Sequence, residues 1–321
     1  MRAIKSLFAI GLVLAVAACA EPPPRPAAAD RPTIVSLNLC ADAILAEITA
    51  PGQLLAISHY SHKPRAGPIP AAVLRRVPPT GGTVEEIAAL APDMVVGDAF
   101  TPPATRASLD RLGIGFVALP IDSDVAASKA QVRMLARLAG NPARGEALVG
   151  RIERSLADAA PPDGWRRRTA LVWQGGGLVA GDDSLIAELL GHAGFAPAAA
   201  SRGLGQGTIV SLEQMLAHPP DVILAAGNPR AEENRLLHHQ ALARLRGLRR
   251  ASFEPGLFYC GGPSIPRSLA RLRQIRDELE ARRCPGPAPG WRRPSTSPFR
   301  FRCSPGACGL IPCTRRFQAP R

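Results

Sequence analysis

The chain has 321 residues, of which 46% are hydrophobic and only 4% aromatic, and it carries a formal net charge of +13. That length buries a sizeable core and suggests about two domains. The charge does not point to nucleic acid once it is divided along the chain. Arg2, Lys5 and the seven arginines of the last 37 residues, a stretch with no acid, leave +4 on residues 20–284, a mildly basic surface.

At the amino terminus, Arg2 and Lys5 precede an apolar run from Leu7 to Ala18. It is too short to span a bilayer as a mature helix and is followed by small residues, so residues 1–19 read as a secretory signal. Val16-Ala17-Ala18-Cys19 also resembles a lipoprotein lipobox, which would make Cys19 an acylated first residue; cleavage before Glu21 is the alternative. Residues 20–32, rich in proline and alanine, read as an extended tether.

From Thr33, helical and strand signals alternate. Strands are expected at Thr33–Leu37, Leu54–Ser58, Val95–Gly97 and Phe116–Pro120, with a helix over Ala41–Thr49, which predicts an amino-terminal α/β lobe over residues 33–124. A helical linker follows over residues 125–164. Its long helix is expected at about 142–160, with Asn141 as cap and Pro142 in the first turn. Such a helix is about 28 Å long and can join two lobes. A second lobe over residues 165–283 is expected from a strand at Thr169–Trp173, a helix at Leu185–Ala193, a strand at Gly256–Tyr259 and a last helix at Pro266–Arg283. The predicted fold class is therefore α/β, with two lobes of mainly parallel strands joined by one long α-helix.

One pattern occurs twice. Residues 84–96, VEEIAALAPDMVV, and 212–224, LEQMLAHPPDVIL, each set a glutamate eight residues before an aspartate, with a helical spacer, Pro-Asp and an apolar strand. Glu85 and Glu213 each open a short helix, where a carboxylate suits the free amides and the dipole. Pro92 and Pro220 end those helices, and the runs after Asp93 and Asp221 read as strands buried on both faces. An α/β protein contains several such units, so the glutamates also have a plain reading as first-turn acids.

From Arg31 to about Arg283 the chain resembles the periplasmic substrate-binding proteins of ABC importers for iron chelates, haem and cobalamin. The residues that carry the resemblance are Ile34–Cys40, Gly82–Asp93, Val210–Glu213 through Pro220-Asp221, and Cys260–Pro263. The resemblance implies two α/β lobes on one connecting helix, a monomer in the periplasm, and partners in a membrane permease and its ATPase. It also implies that Glu85 and Glu213 dock onto basic residues of the permease. The membrane would be met only through the possible lipid on Cys19. No intrinsic cofactor is expected; the ligand would be a metal chelate.

Ligands of open α/β sheets bind beyond the carboxyl ends of the strands. Tyr60, Trp173 and Tyr259 fall there and suit a large planar ligand gripped by stacking. Phe100 and Phe258 read better as plugs of strand ends. His59 and His62 share a loop with Lys63 and Arg65, so imidazole could meet a chelated metal and the cations a ligand carboxylate. Cys40 and Cys260 follow strands in opposite lobes, and either a disulfide across the cleft floor or two thiols touching ligand is open to them.

Two other functions are weighed. A zinc or manganese receptor would need several histidines or carboxylates on one ion, and only His59 and His62 offer themselves. A dinucleotide enzyme could use Gly175-Gly-Gly177-Leu-Val-Ala180, but Gly181-Asp-Asp-Ser184 interposes a turn where a helix should begin. There the glycines read as letting backbone approach a bulky ligand. The chain also lacks G-x-S-x-G and H-E-x-x-H motifs, so no catalytic residues are expected. Residues 284–321 hold eight prolines, four glycines and four cysteines, of which Cys303, Cys308 and Cys313 are evenly spaced, with no helical or strand periodicity; disorder or an out-of-frame end is expected of them, and the even cysteine spacing does not suit zinc.

Overall fold

The computed structural model describes residues 31–63, 67–205, 207–227, 235–236 and 238–281. Cys19, the tether before Arg31, Arg65 and the tail beyond Arg283 lie outside the described residues.

Strands β1 (Ile34–Ser36), β2 (Leu54–Ser58), β3 (Pro79–Thr80), β4 (Met94–Asp98) and β5 (Gly115–Leu119) form a parallel sheet in the order β3-β2-β1-β4-β5. Strands β6 (Arg168–Gln174), β7 (Phe195–Pro197), β8 (Val222–Ala226) and β9 (Arg249–Ser252) form a second parallel sheet in the order β7-β6-β8-β9. Without β3 the two orders coincide, so the repeat seen in one sequence unit extends to four strands of each sheet. Helices α1 (Leu39–Ile48), α2 (Ala71–Arg76), α3 (Val84–Leu90) and α4 (Pro103–Arg111) belong to the first lobe. Helices α5 (Val125–Leu138) and α6 (Pro142–Ala159) connect it to the second, which carries α7 (Leu185–His192), α8 (Leu212–Ala217), α9 (Gln240–Arg244) and α10 (Ser264–Ala281).

The Pro-Asp of each repeat has a structural use. Asp93 accepts from the Thr33 amide (2.7 Å) and hydroxyl (2.6 Å), and its own amide donates back to Thr33 Oγ1 (3.0 Å). Asp221 accepts from the Thr169 amide (2.8 Å) and hydroxyl (3.1 Å), and its amide donates to Thr169 Oγ1 (2.8 Å). This reciprocal clasp sets the register of neighbouring strands, with Ile34 opposite Met94 and Ala170 opposite Val222. It also satisfies polar groups where the ladder has not yet begun.

The connecting helix α6 has 18 residues, about 27 Å at 1.5 Å per residue. It runs antiparallel to α5, with ion pairs Lys129–Glu153 (3.0 Å) and Arg133–Glu146 (2.8 Å) along the seam. Pro142 stands in its first turn, but Asn141 does not cap it. The Asn141 amide instead turns inward and donates to Gln53 Oε1 and the Ala139 carbonyl, both at 2.9 Å. At the other end, buried Arg276 of α10 donates to the carbonyls of Ala159 (2.7 Å) and Ala193 (3.1 Å), meeting the open ends of α6 and α7 with a cation.

One continuous apolar cluster runs through both lobes by way of this pair, from Ile34 and Ile44 through Val132, Leu148 and Ile152 to Phe195, Val222 and Leu269. Smaller clusters cover the other face of each sheet. No helix among the described residues is long and apolar enough to cross a membrane. The expected last strand, Gly256–Tyr259, is not a strand: its first two residues lie in a 3₁₀ turn at Pro255–Leu257, and the strand is Arg249–Ser252. Its arginine-rich sequence hides it, because it lies at the sheet edge and Arg249 pairs with Glu278 at 3.1 Å.

If the clasps fix the strand register, Thr33→Val and Thr169→Val will each lower stability in urea unfolding by about 1–2 kcal/mol. An unchanged midpoint for both would show the clasps to be incidental.

Candidate functional site

In a parallel sheet all carboxyl ends face one way, and a ligand crevice opens where the strand order reverses. In the first sheet that point lies between β1 and β4, and in the second between β6 and β8. Six large apolar side chains are exposed among the described residues: Tyr60, Phe100, Leu112, Ile121, Ile209 and Tyr259. All except Leu112 lie beyond strand carboxyl ends. Tyr60 follows β2, Phe100 follows β4, Ile121 follows β5 and Tyr259 follows β9. Ile209 is bridged to Leu178, just past the end of β6. Exposed apolar surface is ordinary when scattered, but five of these six side chains gather at the carboxyl ends of the strands.

The loop after β2 is built around Tyr60. Ser58 caps a 3₁₀ turn, His59–His62, by accepting from the Tyr60 amide (3.3 Å), and the Lys63 amide closes the turn on the Tyr60 carbonyl (3.1 Å). His59 lies against the Tyr60 ring (4.1 Å between centroids) with its Nδ1 3.3 Å from the Thr80 carbonyl, and Lys63 Nζ lies 4.4 Å from the centre of the same ring. The turn thus presents a half-exposed phenol flanked by an imidazole and a cation. Beneath it, fully buried Asp42 accepts through one oxygen from the Ser58 amide (3.0 Å) and the Ser61 hydroxyl (2.6 Å). Burial pushes the Asp42 carboxyl up to about 7, against the opposing hydrogen bonds from Ser36, Ser61 and Ser58.

Beside the first reversal point, the Asn38 amide group caps α1, accepting from the Cys40 and Ala41 amides, and donates to Asp98 at 3.1 Å. Cys40 is bonded to Cys260, with 5.1 Å between their Cα atoms. The disulfide joins the first turn of α1 in one lobe to the loop after β9 in the other. Neither sulphur is a free thiol, so of the two alternatives the staple is the one found, and Cys40 and Cys260 offer no thiol to a ligand.

The residues after Cys260 are wedged into the first lobe. A side chain at Gly261 would collide with Asp122 and Ser128; Gly262, at φ +57°, would meet Ile44 at 2.7 Å, and its amide donates to Ser128 Oγ at 2.7 Å. Burial raises the Asp122 carboxyl above its ordinary value. Just ahead of the staple, half-exposed Tyr259 lies 4.6 Å from Phe258, which in turn lies 6.2 Å from buried Phe253. Phe258 therefore plugs, as expected. Phe100 does not: at 79% exposure it is free to meet a ligand.

Trp173 is a correction. It is fully buried with Leu171, Val179, Met215 and Ile223 on the outer face of the second sheet, because alternation along β6 turns residues 171 and 173 away from the crevice. The glycine run after β6 is corrected as well. Gly177, at φ +87°, lets backbone approach backbone: a Cβ there would lie 2.6 Å from the Val210 carbonyl, and the Val210 amide donates to the Gly177 carbonyl at 2.8 Å. The run holds only a 3₁₀ turn at Gly175–Gly177 and no α-helix opens within it, as a dinucleotide fingerprint would require; α7 starts only at Leu185.

Glu85 and Glu213 hold the same position in their lobes, second in α3 and α8, behind the caps Thr83 and Ser211. Both are exposed. Their neighbours differ in use: Glu86 turns back to accept from Thr80 Oγ1 and the Gly81 amide, both at 2.7 Å, while Gln214 completes a capping box with Ser211. The Glu213 carboxyl is held below its ordinary value, chiefly by its own backbone amide. Ile121, Ile209 and Asp42 were missed in the sequence. An isoleucine after Leu-Pro in a polar turn was a usable signal for Ile121; nothing local marked the others.

The family described as periplasmic binding protein matches residues 34–250, and the chain belongs to that family. No curated protein matches it. Among solved structures, it is similar to a periplasmic haem-binding protein from Pseudomonas aeruginosa, with 23% identity over 76% of this chain and 92% of that one and a TM-score of 0.60. It is also similar to the haem-binding protein HutB of Vibrio cholerae (18% identity, 77% and 98% covered, TM-score 0.63). A third is Helicobacter pylori Ceue with Ni(II) bound (18% identity, 78% and 85% covered, TM-score 0.60). These likenesses establish the bilobal α/β fold.

The raised Asp42 carboxyl gives a pH prediction with a definite sign. An acid whose folded value lies above its unfolded one favours folding at low pH, and that contribution is lost as pH rises from about 4 through about 7. Asp42→Asn keeps the shape without the ionisation, so its Tm will exceed that of the unsubstituted chain at pH 8, by at most about 4 kcal/mol in stability. The difference will shrink towards pH 5. A difference independent of pH would show that Asp42 does not titrate there.

Proposed function

We propose that the protein is the substrate-binding component of an ABC importer, capturing a metal chelate between its lobes in the periplasm and delivering it to a membrane permease driven by its ATPase. The observation that carries this reading is the placement of Tyr60, Phe100, Ile121, Ile209 and Tyr259, exposed apolar side chains gathered at the carboxyl ends of both sheets. A large, flat, mostly apolar ligand with a few charged groups fits such a surface. The haem-binding neighbours and the Ni(II)-bound one support a chelate, and haem, cobalamin and ferric siderophores all belong to that class.

In this reading Tyr60 and Tyr259 supply contact from opposite lobes, His59 stands beside the ligand's metal, and Lys63 with Arg65 meets its anionic groups. Glu85 and Glu213, exposed at matched helix starts, dock onto permease arginines through charge-assisted pairs. The shared core, the connecting helix and the disulfide support a small lobe movement. The chain acts as a monomer, without catalysis, and the membrane is met through a lipid on Cys19 if that residue is acylated.

The second reading, a zinc or manganese receptor, needs a convergent donor set. No group of three or more histidine, cysteine, aspartate or glutamate side chains is placed to hold a metal ion among the described residues.

Absorbance titration with haemin tests the ligand side: Tyr60→Ala and Tyr259→Ala should each weaken binding by about tenfold, as expected for loss of an aromatic contact of about 1–2 kcal/mol. Full affinity in both variants would remove the tyrosines from the site. In vesicles carrying the permease, Glu85→Arg with Glu213→Arg should abolish uptake and leave haemin affinity unchanged; undiminished uptake would refute docking through these residues.

A further inference from the structure

Asp42 has no counterpart in the function proposed above, yet it is a fully buried carboxylate directly under the ligand-facing turn. Its two acceptor contacts go to the two ends of that turn. The Ser58 amide lies at the carboxyl end of β2, and the Ser61 hydroxyl is one residue past Tyr60; both donate to the same carboxylate oxygen, Oδ2. Ser58 in turn accepts from the Tyr60 amide, so Asp42, Ser58 and Tyr60 are linked in series, and Ser61 closes the loop from the far side. The other oxygen, Oδ1, is buried and makes no hydrogen bond of good geometry among the described residues, although the nearby Ser36 side chain still acts on the carboxyl. A carboxylate left half unpaired in a core is costly, and a residue serving only the fold would be better replaced by an apolar side chain.

Asp42 also lies two residues beyond Cys40, in the first turn of the same helix. The helix that the disulfide joins to the Tyr259 loop is thus the helix that holds the Tyr60 turn. The two tyrosines of the chain, one from each lobe, are referenced to a single element.

We infer that Asp42 is the positioning residue of the ligand loop, fixing the His59–His62 turn so that Tyr60 faces the crevice at a set distance from Tyr259. The inference rests on the reading of the crevice as a chelate site. Asp42 acts through Ser58 and Ser61 and does not itself touch the ligand. The raised carboxyl value agrees with this buried setting.

The chain has only two tyrosines, so tyrosine labelled at the ε ring carbons alone gives one NMR signal for each, which Tyr60→Phe assigns. The test uses the full chain with three substitutions and haemin as probe. Ser61→Ala and Asp42→Ala should shift the Tyr60 signal, leave the Tyr259 signal in place and weaken haemin binding by about tenfold. Asp42→Asn, which can keep an oxygen at the Oδ2 position for both donors, should restore the signal and bring haemin affinity to within about threefold of the unsubstituted chain. A general loss of packing would not be rescued in this way, and it would move both tyrosines. An unmoved Tyr60 signal in Ser61→Ala, which removes one bond without touching the core carboxylate, overturns the inference even if Asp42→Ala fails to fold. A moved signal with haemin affinity unchanged overturns it too. If the unsubstituted chain binds no haemin, the chelate reading is what fails for that ligand, and the NMR signals still decide whether Asp42 sets the turn.

Discussion

The structure depends on a fastening between the lobes that is both covalent and steric. The Cys40–Cys260 bond closes a loop of 220 residues, and the Gly261-Gly262 step behind it lies where no larger residue fits without moving Asp122, Ser128 or Ile44. In the chain-entropy view a cross-link over that span restricts the unfolded chain by about 5 kcal/mol. Its location matters more than its size. The bond joins the start of α1, at the reversal point of one sheet, to the loop that follows the last strand of the other, so the carboxyl ends of both sheets are held at one seam. An oxidising compartment is needed to keep such a bond, which agrees with the signal-like amino terminus.

Around that seam the two lobes are variations on one frame. Each sheet begins with a threonine clasped by the aspartate of a Pro-Asp turn, and each sets a short capped helix ahead of the clasped strand, with a glutamate second in that helix. The frame accounts for the repetition of the glutamates without appeal to chance, since equal positions in equal frames present equal charges. It does not require them to be equal in role. That depends on their exposure, which they share, and on a partner with two matched basic sites.

Much of this was legible in the sequence, and the parts that were not share a cause. Leu54–Ser58 was bounded correctly because its apolar run is uninterrupted, and the long helix began at Pro142 because that residue fixes a first turn. Strand Arg249–Ser252 escaped because an edge strand can be polar when its arginine has a partner on α10. Trp173 was placed in the crevice because a strand end was visible in the sequence and the side to which its side chain points was not; one residue along β6 reverses that side. Phe100 was misjudged for the same reason. A sequence separation of 220 says nothing about whether two cysteines meet, and Asp42 looks like an ordinary first-turn acid until its burial is seen.

Capture of a metal chelate requires that the crevice take one. Thermal-shift titration of the full chain against haemin, cyanocobalamin, ferric siderophores and zinc answers that. A ligand at 100 times its dissociation constant adds about 2.7 kcal/mol if it binds only the folded state. The expected result is a clear rise in Tm with one chelate class and none with zinc; a rise with zinc alone, or no rise with any of them in a folded sample, would contradict capture of a metal chelate.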